Sequence, residues 1–316
     1  MSSLAIIIVN YNTCDLLRNC LESIYGAAIE CQFDVWVVDN ASTDGSVAML
    51  REQFPHVRVI ASEYNGGYAY ANNLALREAL GTGETETRRH GDRGTERQRA
   101  GVGDYVLLLN SDTVVPAGAL DGLVAYLDAH PQVGAAGPKL LLADGSLDLA
   151  CRRSFPTPVS FIYHAVGLSR LFPRSPRFAR YNLTYLDPDV ETEVDGLVGA
   201  CMLVRRSVVR EVGLLDETFF MYGEDLDWAY RIKQYGWRIM YVPSIIVHHY
   251  KRASSRQRPI QSIRHFYHAM RVFHRKHYAA TTPAGLNLLI EAGITLKETW
   301  SLGSNLLRPS GARRVG

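Results

Sequence analysis

The chain has 316 residues, 47% hydrophobic and 21% charged, with 34 Lys+Arg against 32 Asp+Glu and a formal net charge of +2. That length supports one large domain or about two ordinary ones around a substantial core. The apolar content excludes global disorder, and the charge balance excludes a broadly basic nucleic-acid binder.

Residues 4–9, 35–38, 57–60 and 105–109 are short aliphatic or β-branched runs without alternation. Such runs predict strands buried on both faces, as in a parallel sheet. Leu16, Leu17, Cys20, Leu21 and Ile24, and then Val47, Leu50 and Phe54, are spaced for one face of a helix. Asn12 or Thr13, and Ser42 or Thr43, stand as N-caps. A third helix is expected from Tyr68 to Leu80. The succession predicts an α/β fold, a Rossmann-like doubly wound sheet with ligands at the carboxyl ends of its strands. Residues 81–103 contain no Ile, Leu or aromatic residue and read as a surface insertion.

Beyond Pro116 a helix is expected over 120–129, short strands from Pro138, and a proline-punctuated excursion over 156–188. Helical spacing returns at 207–212 and 225–235, followed by strands at 239–242 and 245–247 and a helical appendage from Lys251. The apolar run at 4–9 is too short for a signal-peptide core and follows no Lys or Arg. No uninterrupted run of about 18 apolar residues predicts a membrane span. Five cysteines, an odd number without a C-x-x-C pair, fit reduced thiols in a cytoplasmic protein.

Several short segments carry chemistry. Asp39 closes the second strand, where a carboxylate can accept a hydrogen bond from a nucleotide or simply serve a turn. Val9-Asn10-Tyr11-Asn12 stands where a G-x-G-x-x-G would be needed, which disfavours a dinucleotide oxidoreductase. Asn110-Ser111-Asp112 leaves the fourth strand and reads either as a turn or as a cation and ligand site. Asn65-Gly66-Gly67 precedes a helix whose first amides could face a diphosphate. Glu224, Asp225 and Asp227 follow an aromatic stretch that includes Tyr222, either as helix-start acids or as a set containing a general base. His248 and His249 end a strand with side chains on opposite faces.

In this order the residues resemble family 2 glycosyltransferases, particularly their bacterial rhamnosyltransferase-like members. The resemblance runs from about Leu4 to Tyr278. It rests on Val9-Asn10-Tyr11-Asn12, Val38-Asp39-Asn40-Ala41-Ser42-Thr43-Asp44, Asn65-Gly66-Gly67, Asn110-Ser111-Asp112 and Gly137-Pro138-Lys139-Leu140. It continues through Asp195-Gly196-Leu197-Val198-Gly199-Ala200, Leu215-Asp216-Glu217, Glu224-Asp225-Leu226-Asp227 and Val242-Pro243 leading to His248.

The resemblance implies a GT-A fold over residues 1–250, with a nucleotide half (1–115) and an acceptor half (116–250), then a helical region over 251–316. It implies an inverting transferase that moves a sugar from a UDP- or dTDP-sugar, with rhamnose as the family-level choice, to a glycan or lipid-linked acceptor in cell-surface polysaccharide synthesis. Asp39 would accept the pyrimidine N3–H, with Asn10, Asn12, Asn65, Gly66 and Asn110 around the nucleotide. Asp112 would hold Mg²⁺ or Mn²⁺ in a DXD-like motif whose first Asp is replaced by Asn110. His248 matches a metal-ligating position, with His249 as its alternate. Asp225 would be the general base, Glu224 and Asp227 its supports, and Asp195, Gly196 and Tyr222 would face the sugar or acceptor. The competing reading is a catalytically silent nucleotide-sugar or glycan-binding module. A nucleotidyltransferase would want a triphosphate-binding loop that the sequence does not show.

The charge is uneven along the chain. Residues 187–227 hold eleven acids against three arginines, while 251–290 hold eight Lys/Arg, four His and no acid. In the second stretch Arg264, His268, Arg271 and Arg275 form a helical stripe, suited to a solvated face, an anionic membrane surface or a lipid-linked diphosphate. The apolar residues from Leu286 to Leu307 would then lie on a membrane or in a homo-oligomer interface. The expected location is cytoplasmic, peripheral to the inner face of the membrane.

Overall fold

The computed structural model describes residues 2–81, 103–165, 167–251 and 259–307. Apart from its two end glycines, the expected 81–103 insertion lies outside the described residues. Strands β1 (Ser3–Asn10), β2 (Gln32–Asp39), β3 (Arg58–Ala61) and β4 (Tyr105–Asn110) run parallel in the order β3-β2-β1-β4. Ile6, Ile7, Ile8, Leu107, Leu108 and Leu109 are fully buried, which is why their runs lack alternation. Helices α1 (Cys14–Gly26), α2 (Ser46–Gln53) and α3 (Tyr68–Ala79) make the connections.

Thr13 holds the expected N-cap position of α1, but without a capping side-chain bond, and the start of α2 differs from expectation. The Thr13 hydroxyl turns to Asn10, and the first amide of α1, on Cys14, donates to Asp44 at 2.8 Å. Helix α2 begins after Gly45, which adopts φ +86°. Ser42 is diverted from capping because its hydroxyl accepts from both Asn10 and the Asn12 amide.

The second half adds β5 (Thr113–Val114), α4 (Ala119–Ala129), β6 (Val133–Leu141), α5 (Pro158–Ala165), α6 (Leu168–Leu171), β7 (Thr192–Glu193) and β8 (Cys201–Arg205). It closes with α7 (Arg206–Val212), α8 (Glu224–Gln234) and β9 (Arg238–His249). The sheet continues β4-β8-β6-β9-β5, with β7 against β9, and β8 lies antiparallel to both neighbours. The strands expected at 239–242 and 245–247 are one strand. Pro138 pairs with Val242 and Lys139 with Ile246, so residues 243–245 bulge out.

Helices α9 (Pro259–His277) and α10 (Ala284–Leu306) form the expected appendage. Phe273 and Ala269 pack on Phe219 and Leu226, while Ile263 and Tyr267 pack on Ile290 and Ile294. The basic stripe is partly neutralised by α10: Arg271 pairs with Glu298 at 2.7 Å, and Arg275 with Glu291 at 2.7 Å. Leu289, Leu296, Trp300 and Leu307 remain exposed. Among the described residues no helix is long and apolar enough to cross a membrane.

Candidate active site

Strand register aligns the ends that carry polar residues. Asn10 lies opposite Asp39, and Val9 opposite Asn110, so β1, β2 and β4 finish in one row. Asp39 is 2% exposed; its Oδ1 accepts from the Asn10 amide at 2.9 Å and its Oδ2 from the Ser42 N–H at 2.9 Å. Each carboxylate oxygen keeps a second lone pair, so a further donor can be accepted. Asn12, at φ +51°, accepts from the Thr43 N–H at 2.8 Å and shapes the adjoining loop.

Asn40 does work that the sequence reading did not assign. Its amide donates to Asn65 at 2.9 Å and to the Gly67 carbonyl at 3.2 Å, and its oxygen accepts from the Gly66 N–H at 3.0 Å. It therefore locks the segment expected to meet the diphosphate. A Cβ on Gly66 would enter the Tyr70 ring; one on Gly67, at φ +91°, would lie 2.2 Å from the Phe220 carbonyl oxygen. Close packing thus explains both glycines.

The β5–β9 pairing builds the next edge. Thr113 lies opposite His249 and Val114 opposite His248, so β9 ends beside Asp112. The structure places His249, and not His248, against that carboxylate, because alternation sends consecutive side chains to opposite faces. His249 Nε2 is 3.3 Å from Asp112 Oδ1 and 3.4 Å from the Asn110 amide, and Nδ1 is 3.0 Å from Asp148 Oδ2. Burial lowers the His249 pKa, but hydrogen bonds to Asp112 and Asp148 and their charges outweigh it, leaving it raised to about 9. Asp148 also receives Lys251 at 2.8 Å. Burial opposes its ionisation, yet His249 and Lys251 hold its carboxyl well below the usual range.

Among the described residues no group of three His, Cys, Asp or Glu side chains forms a ready metal cage. Asp112 and His249 nevertheless fit a divalent ion as an oxygen–nitrogen pair, with Asp148 orienting the imidazole from behind. Two protein ligands suffice where substrate phosphate oxygens and water complete the shell.

The third edge is the start of α8, entered through Tyr222 at φ +70° and Gly223 at φ +84°. Asp225 Oδ2 accepts from Arg153 at 2.6 Å and from the Gly199 N–H at 3.2 Å, and Oδ1 from the Leu226 N–H at 2.7 Å. Glu224 is buried, and its Oε2 has no hydrogen-bond partner among the described residues. Burial, then the charge of Asp225, pushes its carboxyl up to about 8. Glu224 is therefore mostly neutral at pH 7 beside an ion-paired Asp225.

Asp227 plays a different part. It receives Arg231 at 2.9 Å, Lys276 at 2.7 Å and His277 at 2.8 Å, tying α8 to α9. Burial raises its carboxyl, but those partners prevail and lower it to about 2. Asp195 and Gly196 are likewise engaged inside the protein. Asp195 accepts from Ser154 at 2.9 Å and meets Lys233 at 3.3 Å, while Gly196 bridges to Arg153 and packs under Leu226. The Tyr222 ring meets Phe266 of α9 edge-on.

Tyr68 joins the edges. Its hydroxyl is 2.8 Å from the Gly199 carbonyl and 3.1 Å from Asn110 Oδ1. Burial raises its pKa well above the ordinary value, and the charges of Glu224, Asp225 and Asp112 add to that. A polar chain thus runs from His249 through Asn110, Tyr68 and Gly199 to Asp225. Arg153, Asp148 and Tyr68 were not singled out from the sequence. The Arg152-Arg153 pair just ahead of the proline-punctuated excursion was the available signal for the first.

The family described as "Glycosyltransferase like family 2" matches residues 2–268. The chain is 31% identical over 305 residues to the N-acetylglucosaminyl-diphospho-decaprenol L-rhamnosyltransferase of Mycobacterium tuberculosis, covering 96% of this chain and 94% of that protein. It is 26% identical over 256 residues to the rhamnosyltransferase WbbL of Escherichia coli, covering 79% and 84%. Among solved structures, it resembles the mannosyltransferase PcManGT from Pyrobaculum calidifontis in complex with GDP-Man and Mn²⁺. The TM-score is 0.53 and the identity 19%, over 95% of this chain and 72% of that one. The mixed sheet with its row of polar strand ends is a GT-A fold, and the chain belongs to the family 2 glycosyltransferases, among their rhamnosyltransferase-like members.

Proposed function

We propose that this enzyme transfers a sugar, with rhamnose the first choice, from a UDP- or dTDP-sugar to a hydroxyl of a lipid-linked glycan, with inversion at the anomeric carbon. The sugar and the acceptor class are inferred from the names of the two rhamnosyltransferase relatives, one of which is named for an N-acetylglucosaminyl-diphospho-decaprenol, and the nucleotide from the family resemblance. The reading fits cell-surface polysaccharide synthesis, with the enzyme in the cytoplasm at the inner face of the membrane. The observation that carries the mechanism is the polar chain linking Asn110 to Asp225 through Tyr68 and Gly199.

In this reading Asp39, braced by Asn10 and Ser42, receives the pyrimidine N3–H. Asn65 and Gly66, locked by Asn40, line the phosphate side. Asp112 and His249 hold Mg²⁺ or Mn²⁺, which supplies positive charge against the leaving diphosphate when bound. Asp225 takes the acceptor proton as the hydroxyl oxygen bonds to the anomeric carbon. The bond from that carbon to phosphate oxygen breaks on the opposite face, and the electron pair leaves with the nucleoside diphosphate. A general base of this kind contributes about 10²–10⁴-fold. Arg153 aims Asp225 through their ion pair at 2.6 Å, whereas Glu224, its carboxyl raised by burial and the charge of Asp225, is unsuited to accept a proton until deprotonated.

The test is Asp225→Asn beside Glu224→Gln, each assayed for nucleoside diphosphate release and for nucleotide affinity. The reading requires Asp225→Asn to lose at least a hundredfold in turnover with nucleotide affinity kept, and Glu224→Gln to lose much less. The reverse ranking would make Glu224 the base, and normal turnover in both would remove carboxylate catalysis from α8.

A further inference from the structure

A cavity of about 460 Å³ lies between α9 and the segment that leads into α8. One wall carries Arg264, His265, His268 and Arg271, and the opposite wall is formed around Phe220. Residues 264, 268 and 271 follow i, i+4, i+7 spacing, so their polar ends share one face of α9. The His265 ring stacks on Phe220 at 4.2 Å with 18° between the planes, which joins the two walls.

Two glutamates also line the cavity, but each is already answered. Glu217 pairs with Arg77 at 2.7 Å, and Glu298 with Arg271 at 2.7 Å. Arg264 is exposed and makes no ion pair among the described residues. The cavity therefore offers an uncommitted guanidinium flanked by two imidazoles. Guanidinium and phosphate oxygens match in bidentate geometry, and neutral imidazoles can still donate an N–H.

The cavity adjoins the Gly67–Tyr68 turn but is lined by none of the residues at the strand ends. Its Phe220 wall is joined to Tyr68 by the N–H···O bond at 2.7 Å. From Phe220 the chain reaches Glu224 in four residues, a separation of at most about 14 Å. A ligand with an anionic group in the cavity could thus present a hydroxyl one sugar away to the start of α8.

We propose that this cavity binds the diphosphate of the lipid-linked sugar acceptor, with Arg264 as its principal contact and His268 and His265 as further donors. The inference rests on the transferase reading above, and it separates an acceptor phosphate site from the donor phosphate site at Asp112 and His249. Arg271 stays committed to Glu298 and sets the rim.

The test is direct binding of farnesyl diphosphate, measured by calorimetry with the nucleotide site saturated by UDP or dTDP and Mn²⁺. Arg264→Glu and His268→Ala should each weaken binding about tenfold or more, the effect of one charge-assisted contact. Arg264→Lys should recover part of the loss, and exposed Arg51→Glu on α2 should change nothing. Farnesol should not bind. Circular dichroism confirms that these surface variants are folded, and nucleotide affinity should be the same in all of them. The proposal is overturned if the Arg264 and His268 variants bind the probe normally, or if saturating nucleotide abolishes binding in the wild type. It is also overturned if phosphatidylglycerol vesicles need these residues while farnesyl diphosphate does not, since the site would then serve lipid headgroups. Probe binding as stated without sugar transfer from any nucleotide sugar would leave the cavity assignment standing and remove the transferase reading instead.

Discussion

Replacing Glu224 by Gln tests the electrostatics of the paired carboxylates without touching their packing. The Glu224 carboxyl is raised from its ordinary 4.5 to about 8 by burial and by the charge of Asp225. The folded state therefore holds a proton that the unfolded state releases above pH 4.5. Stability from this group is fully present below that pH and is lost as pH rises through about 8. At about 1.4 kcal/mol per unit, the interval sets a ceiling of about 5 kcal/mol. Relaxation around a buried charge, equivalent to an effective dielectric near 20, brings the expectation to about 2 kcal/mol. Gln has the shape of the neutral acid and never ionises. Glu224→Gln should match the wild type at pH 4.5 and melt about 4 °C higher at pH 8.5. Scanning calorimetry across that range measures the difference directly, because titrating groups not coupled to Glu224 cancel between the two proteins. In an Asp225→Asn background the gain should shrink, since the repelling charge is gone. An equal gain at both pH values, or a loss at pH 8.5, would refute the assignment of a raised Glu224.

Three other outcomes follow from the geometry. Gly67→Ala should destabilise by more than about 1–3 kcal/mol in urea unfolding, because a positive φ and a Cβ 2.2 Å from the Phe220 carbonyl oxygen combine. Asp227→Asn should cost about 2–4 kcal/mol at pH 7 by leaving Arg231, Lys276 and His277 poorly paired. That carboxyl is lowered to about 2, so its contribution is present above its ordinary pKa and disappears only as pH falls through about 2. His249→Ala should weaken calorimetric Mn²⁺ binding in the presence of nucleoside diphosphate at least tenfold, Asp148→Asn about tenfold through lost orientation, and His248→Ala not at all.

Strands β1 and β4 were legible because a run buried on both faces needs no partner to be recognised. Strand β9 was not, since Pro243 marks a break in local pattern and only pairing with β6 shows that the strand resumes at Ile246. The same limit governs the histidines. Strand parity says that His248 and His249 diverge, but only register against β5 says which one meets Asp112. Strand-end polar residues could be read from position alone. Arg153 and Asp148 could not, because each acts across more than 70 residues of chain. For Asp195 the sequence shows the motif acid but not its internal partners, Ser154 and Lys233, which come from distant stretches of chain.

The Gly67–Phe220 contact bears on how such enzymes can be recombined. The turn before α3 and the segment before α8 meet backbone to backbone, through the Tyr68 N–H and the Phe220 carbonyl. The portions before and after residue 115 are therefore not interchangeable cassettes, despite their separation in sequence. A chimera joined near residue 115 inherits one surface from each parent, and any change in the height of either loop displaces the other. Swapping acceptor specificity between relatives then calls for moving residues 65–68 together with 213–225, a discontinuous graft rather than a simple exchange of C-terminal halves.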